Sequence, residues 1–216
     1  MKITIIYDNT AWNRNLKPDW GFSCLVETEK TTLLFDTGAN GDILLNNMET
    51  LGIDPKNIDA VFISHGHWDH TGGLSKLLGL NPVRVFIPVS CSEPTGASDV
   101  VRIKKMREID EGMCSTGELN GIEQSLAVKT DRGIVVIAGC SHPGVDNILR
   151  AVSQLGKTVA IVGGLHGFDE FELLGSMETV CPTHCTQYIH QIRKMYPGKY
   201  IEGGAGKIIE FGNLKK

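Results

Sequence analysis

The stretch Phe62–Leu74, FISHGHWDHTGGL, puts three histidines and an aspartate within six positions: His65, His67, Asp69 and His70. The 216-residue chain has only seven histidines, so nearly half of them crowd one hexapeptide. On an extended strand, residues two apart point the same way. His65 and His67 can therefore grasp one ion together, and a turn beginning at Gly66–Trp68 throws Asp69 and His70 to a neighbouring position. Neutral imidazoles with a carboxylate form a ligand set for Zn, Fe or Mn. The plainer alternative is a group of surface histidines in a polar turn. Two features argue against it: the group terminates the apolar strand DAVFISH, and it is followed by TGG, whose small residues allow close backbone approach.

The rest of the composition narrows the function classes. Hydrophobic residues make up 41% and charged residues 21%, ordinary for a soluble globular protein. A formal net charge of −4 argues against a general nucleic-acid binder, which carries a basic excess. No apolar run approaches the roughly 18 residues needed to span a bilayer, so no membrane partner is expected. The start, MKITIIYDNTAW, reads as a first strand and not as a signal peptide. The six cysteines, Cys24, Cys91, Cys114, Cys140, Cys181 and Cys185, form no CxxC pair. A chain of this length does not need a disulfide framework, so a reducing cytoplasm is the expected location.

Short runs rich in Ile, Val, Phe and Thr predict strands at KITIIY, FSCLVET, TTLLFDTG, DAVFISH, VRVFIPVS, QSLAVKT, GIVVIAGCSH, TVAIVGG, METVCPTH and KIIEF. Helices are predicted at GDILLNNMETLG, where Leu44, Met48 and Leu51 share a face, at GGLSKLLG, at GVDNILRAVSQLG and at TQYIHQIRKMY. Alternating strands and helices indicate a layered α/β architecture. Residues 1–216 are read as one domain, with an insertion or long loop near 91–121. In that segment RIKKMRE carries Arg102, Lys104, Lys105 and Arg107. These are read as a solvated charged helix face, with a phosphate clamp as the alternative.

HGHWDH resembles the HxHxDH signature of the metallo-β-lactamase superfamily. LLFDTG resembles that family's first motif, whose aspartate, here Asp36, supports the metal loop without binding metal. DNT, WGFSCLVET, STGEL, EQSL, GCSHPGVDNIL, GGLH and PTHCT follow the order of one branch. That branch is labelled metal-dependent hydrolase or 7,8-dihydropterin-6-methyl-4-(ribofuranosyl)aminobenzene-phosphate synthase. The resemblance implies an αββα sandwich of two mixed sheets, with helices on the outer faces and a dinuclear site at the sheet edge. It assigns His65 and His67 to one ion, and Asp69, His70 and, through PTHCT, His184 to the other; His142 is read as the third ligand of the first ion, with a helix-start histidine contacting solvent as the alternative. The second half departs from the family pattern. GIVVIAGCSHPG offers Cys140 and His142 where a bridging aspartate belongs, and Glu123 stands where a histidine is usual. Cys140 is read as a small core residue beside the site, with soft ligation as the alternative. Cys181 and Cys185 are read as a strand-end core residue and a helix-start residue. His166 is read as a proton-transfer group beside the metals, with direct ligation or a structural role as alternatives. His190 is read as solvated.

The implied cofactors are two divalent ions, Zn first and Mn or Fe next. Such a pair acidifies a shared water and polarises a substrate oxygen, which suits an ester or phosphoester. With the bridging carboxylate missing, the site is more positive and favours a small anionic or phosphorylated substrate. Asp69 and His166 are the catalytic candidates. A pterin-methyl diphosphate transferase releasing pyrophosphate is the second reading, and a metal-binding redox or sensor protein the third.

Overall fold

The computed structural model describes residues 1–212. The first half contains β1 (Lys2–Tyr7), β2 (Ser23–Glu27), β3 (Thr32–Phe35), α1 (Gly41–Thr50), β4 (Ala60–Phe62), α2 (Trp68–Thr71), α3 (Leu74–Leu80), β5 (Arg84–Pro88) and β6 (Asp99–Ile103). The second half contains β7 (Arg107–Asp110), β8 (Met113–Ser115), β9 (Leu126–Lys129), β10 (Ile134–Ala138), α4 (Val145–Val152), β11 (Thr158–Gly164), β12 (Thr179–Thr183), α5 (Ile189–Met195) and β13 (Ile208–Glu210). The predicted domain range of 1–216 runs into residues 213–216, which lie outside the described residues.

The strands form two mixed sheets with helices outside them, the predicted αββα arrangement. One sheet has the order β13-β1-β2-β3-β4-β5-β6 and the other β12-β11-β10-β9-β8-β7. In the first, β13, β1, β2 and β3 pair antiparallel, and β3 to β6 pair parallel. In the second, β7 to β10 pair antiparallel, and β10, β11 and β12 pair parallel. Each parallel section needs crossover connections, and the helices supply most of them. This repeated plan is the coarse duplication visible in the sequence.

The alternation of each strand feeds two layers. Ile3, Ile5, Phe22, Phe35 and Phe62 meet Met113, Leu126, Val135, Ile137 and Val162 between the sheets. Phe35 and Phe62 stack with ring centroids 5.4 Å apart. The opposite faces carry the helices. Leu44, Met48, Leu74 and Leu77 cover Leu34, Val61 and Val85. Val145, Ile148, Val152 and Ile192 cover Val136, Ile161 and Val180. α1 is capped by Asn40, whose side chain accepts the N–H groups of Asp42 and Ile43, leaving fewer orphan donors.

Residues 91–121 depart from the expected insertion or long loop, because they carry β6, β7 and β8. RIKKMRE is accordingly no helix face: it spans the end of β6 and the start of β7, where the chain passes from one sheet to the other. Ile103 is buried between the sheets, with Val101 and Ile109 packed against that core, so these residues are placed by pairing and apolar contact. Arg102 donates to the carbonyls of Val89 and Cys91, while Lys104, Lys105 and Arg107 are exposed.

Candidate metal centre

Five parallel strands deliver the candidate residues at their carboxyl ends, the usual place for a site in an open α/β sheet. Asp36 follows β3, His65 follows β4, Cys140 and His142 follow β10, His166 follows β11 and His184 follows β12. Asp36, Ser141, His166 and His184 hold left-handed backbone angles, φ 53°, 59°, 46° and 50°. Such conformations are unfavourable for residues with a Cβ and persist where surrounding contacts fix them.

The strand expected over DAVFISH ends at Phe62, so the HGHWDH segment lies in the turn between β4 and α2 and in α2 itself. The backbone carbonyl of His70 accepts from Thr37 N–H (2.8 Å) and Thr37 Oγ1–H (2.9 Å). The glycines after it are required by contact: a Cβ on Gly72 would lie 2.0 Å from the Ala39 carbonyl oxygen.

Asp36 organises the first-half imidazoles. Its Oδ1 accepts Ser64 N–H (2.7 Å), and its Oδ2 accepts Ser64 Oγ–H (2.6 Å) and His70 Nδ1–H (2.7 Å). Burial pushes the Asp36 pKa well above the usual carboxylate value, and the hydrogen bonds from Ser64 oppose that rise. Because the Ser64 hydroxyl spends its proton on Asp36, its oxygen accepts from His65 Nδ1–H at 2.9 Å. His65 and His70 therefore each point a bare Nε2 lone pair into the cluster.

The second half reaches the same outcome with different supports. His184 Nδ1–H donates to Asn9 Oδ1 (3.0 Å), and its backbone N–H donates to Asp8 Oδ1 (2.9 Å). Asn9 and Asp8 belong to the DNT segment. His184 Nε2 is buried without a hydrogen-bond partner and lies 3.4 Å from Asp69 Oδ2. His142 Nε2 is likewise buried and unpartnered. Trp20 Nε1–H donates to Asp69 Oδ2 at 2.9 Å and so aims the carboxylate.

All six predicted ligands lie together. His65 Nε2 is 3.0 Å from His67 Nδ1, and the His142 ring lies 4.8 Å from that of His65 and 4.9 Å from that of His67. His70 Nε2 is 3.9 Å from Asp69 Oδ2, and its ring lies 5.0 Å from that of His184. Burial pulls His65 and His70 well below the ordinary histidine pKa and takes His142 down to about 4, with the neighbouring imidazoles adding to the effect. The rings are thus neutral near pH 7 and offer lone pairs. A buried polar atom without a partner is costly. Here two such atoms, on His142 and His184, belong to groups of ligand atoms that could each hold a cation, which would satisfy them. The donor set and the orphaned nitrogens fit bound divalent metal.

Three further positions bear on the cluster. Cys140 is a small buried residue beside the site, as expected, and its Sγ lies 3.2 Å from His70 Nε2. His65, Cys140 and His142 bring one ligand atom each within 4.8 Å of one another, and so do His70, Cys140 and His184. Glu123 turns away from the metal position. Its Oε1 accepts the N–H groups of Gly139, Cys140 and Ser141, and its Oε2 accepts that of His142, all at 2.9–3.1 Å. Burial raises the Glu123 pKa to about 7 against the pull of these bonds. Trp20 carried no signal apart from its place in WGFSCLVET.

His166 is exposed, with its ring 5.1 Å from that of His142. It lines a cavity of about 330 Å³ with His142, Asp146, Asp169 and Glu170. Among the described residues, neither Asp169 nor Glu170 hydrogen-bonds to it. His190 is exposed on α5. No helix among the described residues is long and apolar enough to cross a membrane.

Comparison with known proteins agrees with this geometry. The profile of the metallo-beta-lactamase superfamily matches residues 18–190. The crystal structure of a metal-dependent hydrolase of the β-lactamase superfamily superposes with a TM-score of 0.82 and 31% identity, covering 99% of this chain and 100% of that one. The 7,8-dihydropterin-6-methyl-4-(beta-D-ribofuranosyl)-aminobenzene-5'-phosphate synthase of Methanocaldococcus jannaschii is 26% identical, with 96% of this chain and 95% of that protein aligned. Human tRNase Z, short form, shares the fold with a TM-score of 0.67 and 14% identity, over 99% of this chain and 100% of that one. The chain belongs to the metallo-β-lactamase superfamily.

Proposed function

We propose that residues 1–216 form one domain acting as a dinuclear metal-dependent hydrolase on a small ester or phosphoester. His65, His67 and His142 would hold one divalent ion, and Asp69, His70 and His184 the other, with Zn favoured by the nitrogen-rich donor set. When bound, such a pair acidifies water and polarises the substrate oxygen. The chain's own residues do the rest. Asp36 and Ser64 keep protons on the Nδ1 atoms of His70 and His65, leaving the Nε2 atoms free. Trp20 fixes the orientation of Asp69. His166, at the mouth, exchanges a proton with the leaving group. The observation that carries this reading is the pair of buried, unpartnered Nε2 atoms on His142 and His184, aimed into one cluster. Metal analysis of the purified protein should give close to two ions per chain, and chelator should abolish cleavage of bis(p-nitrophenyl) phosphate. A stoichiometry of one that persists after reconstitution with excess Zn²⁺ would sink the dinuclear centre.

A second reading, a pterin-methyl diphosphate transferase, is favoured by the full-length similarity to the Methanocaldococcus jannaschii synthase. The exposed ring of Trp20, beside Asp69 and 5.3 Å from that of His184, also suits a planar aromatic substrate. Consumption of the diphosphate only when an arylamine is present, with no phosphodiester cleavage, would decide for it. Either activity suits a cytoplasmic enzyme on a phosphorylated metabolite. The acidic rim of the His166 cavity favours a substrate that also carries a hydrogen-bond-donating group.

A further inference from the structure

We propose that Cys140 is a metal ligand, its thiolate shared by both ion positions where a bridging carboxylate would otherwise stand. This deepens the metal-centre reading and rests on it.

The first argument is position. Cys140 is the one residue common to both candidate groups among the described residues: His65, Cys140 and His142, and His70, Cys140 and His184. Its Sγ is 3.2 Å from His70 Nε2, the lone-pair nitrogen left bare by the Asp36 contact. The two unpartnered nitrogens, on His142 and His184, belong to one group each. A ligand that both ions would share must belong to both groups, and Cys140 does.

The second argument is how the loop is held. Four successive N–H groups, Gly139 to His142, converge on the Glu123 carboxylate. Gly139 passes so close to the first half that a Cβ there would lie 2.2 Å from Ser64 Oγ and 3.2 Å from Asp36 Oδ2. Ser141 then takes φ 59°, and its hydroxyl donates to the Gly164 carbonyl at 2.7 Å. The chain is clamped on both sides of Cys140, which points the thiol and the His142 ring into the same space. A small core residue would need no such clamp.

The third argument is elimination among the carboxylates. Asp36 commits both oxygens to Ser64 and His70. Glu123 commits both to backbone N–H groups. Asp69 is held on the His184 side by Trp20. Without the thiolate, a single carboxylate faces two dications. With it, the cluster gains a second negative charge and a soft donor, which favours Zn or Co over Mg or Mn. Coordination releases the thiol proton to solvent and needs no oxidant or reductant.

Cobalt substitution tests this without reference to turnover. Protein stripped of metal and reloaded with Co²⁺ should take up close to two ions and show a near-ultraviolet sulfur-to-cobalt charge-transfer band. The band should be lost in Cys140→Ser and Cys140→Asp and kept in Cys185→Ala and Cys91→Ala. Cys140→Ala should also lose about one equivalent of cobalt, and Cys140→Asp should hold both, because its carboxylate can bridge. Two bound cobalt ions with no such band in the unmodified protein would overturn the assignment of Cys140 and leave the metal centre standing. A band lost only in Cys185→Ala would move the ligand to that residue. Failure to bind even one cobalt would overturn both readings.

Discussion

Asp36 has no expected metal contact, yet it sets the tautomer of His70 and, through the Ser64 hydroxyl, that of His65. In Asp36→Asn the NH₂ would meet either the Ser64 N–H, donor against donor, or Ser64 Oγ and His70 Nδ1 together, and in that second orientation His70 must accept at Nδ1 and carry its proton on Nε2. The bare Nε2 of at least one histidine is then lost. Metal affinity should fall about 10–100-fold, the usual cost of losing a partner that orients a ligand. Competition with a chromophoric chelator measures it, and unchanged affinity would remove Asp36 from this role. His166 makes the opposite prediction. It is exposed beside His142, so His166→Ala should keep close to two ions while turnover falls about 10²–10⁴-fold, as for a lost general acid. Loss of an ion in that variant would make His166 a ligand. His65, His67, Asp69 and His70 stood out because they fall within six positions, and they come together through the turn after β4 and not, as the spacing suggested, along an extended strand. Cys140 left two readings open, core residue or ligand, since IVVIAGC reads as buried strand, and only contact between the two halves brings its thiol beside His70.

At the scale of elements, the β10–α4 connection joins the two halves. Gly139 is where they touch, and the space for its Cβ is already taken by Ser64 and Asp36. Gly139→Ala should therefore push the loop outward, costing about 1–3 kcal/mol, as overpacking does in a close contact. Urea titration of the metal-free protein checks the stability loss, and a metal-binding titration should show that His142 has moved. Stability and binding both unchanged would mean that the loop is looser than these contacts imply. The strands rich in branched residues were legible in the sequence, as were α1 and α4 with their buried stripes. β6, β7 and β8 were not, since each is three to five residues long and several of their side chains are exposed. Their strand character comes from neighbours, β5 for β6 and β9 for β8, and pairing partners distant in sequence leave no periodic signal.

For the whole molecule, the question is whether two similar halves unfold together. The apolar layer between the sheets draws from both halves, and β13 returns from the far end of the chain to pair with β1. Met1 and Phe211 exchange backbone hydrogen bonds at 3.0 and 2.9 Å, so the first and last described strands close on each other. These contacts do not depend on metal, and the metal-free protein should stay folded and unfold in one transition. Bound metal would add to this layer, because the proposed ligands come from both halves, from His65 to His184. Ions that bind only the folded state stabilise it by about 2.7 kcal/mol per site at a free concentration 100-fold above Kd. For a chain of this size that corresponds to a rise in Tm of roughly 5–10 °C per ion. Calorimetry of chelator-treated and Zn-loaded protein should show one peak in both cases, the loaded one higher by roughly 10–20 °C with both sites filled. Two resolved transitions in the metal-free protein would mean that the halves are separate cooperative units held together by metal. An unchanged Tm on loading would mean that the cluster does not bind ions preferentially in the folded state.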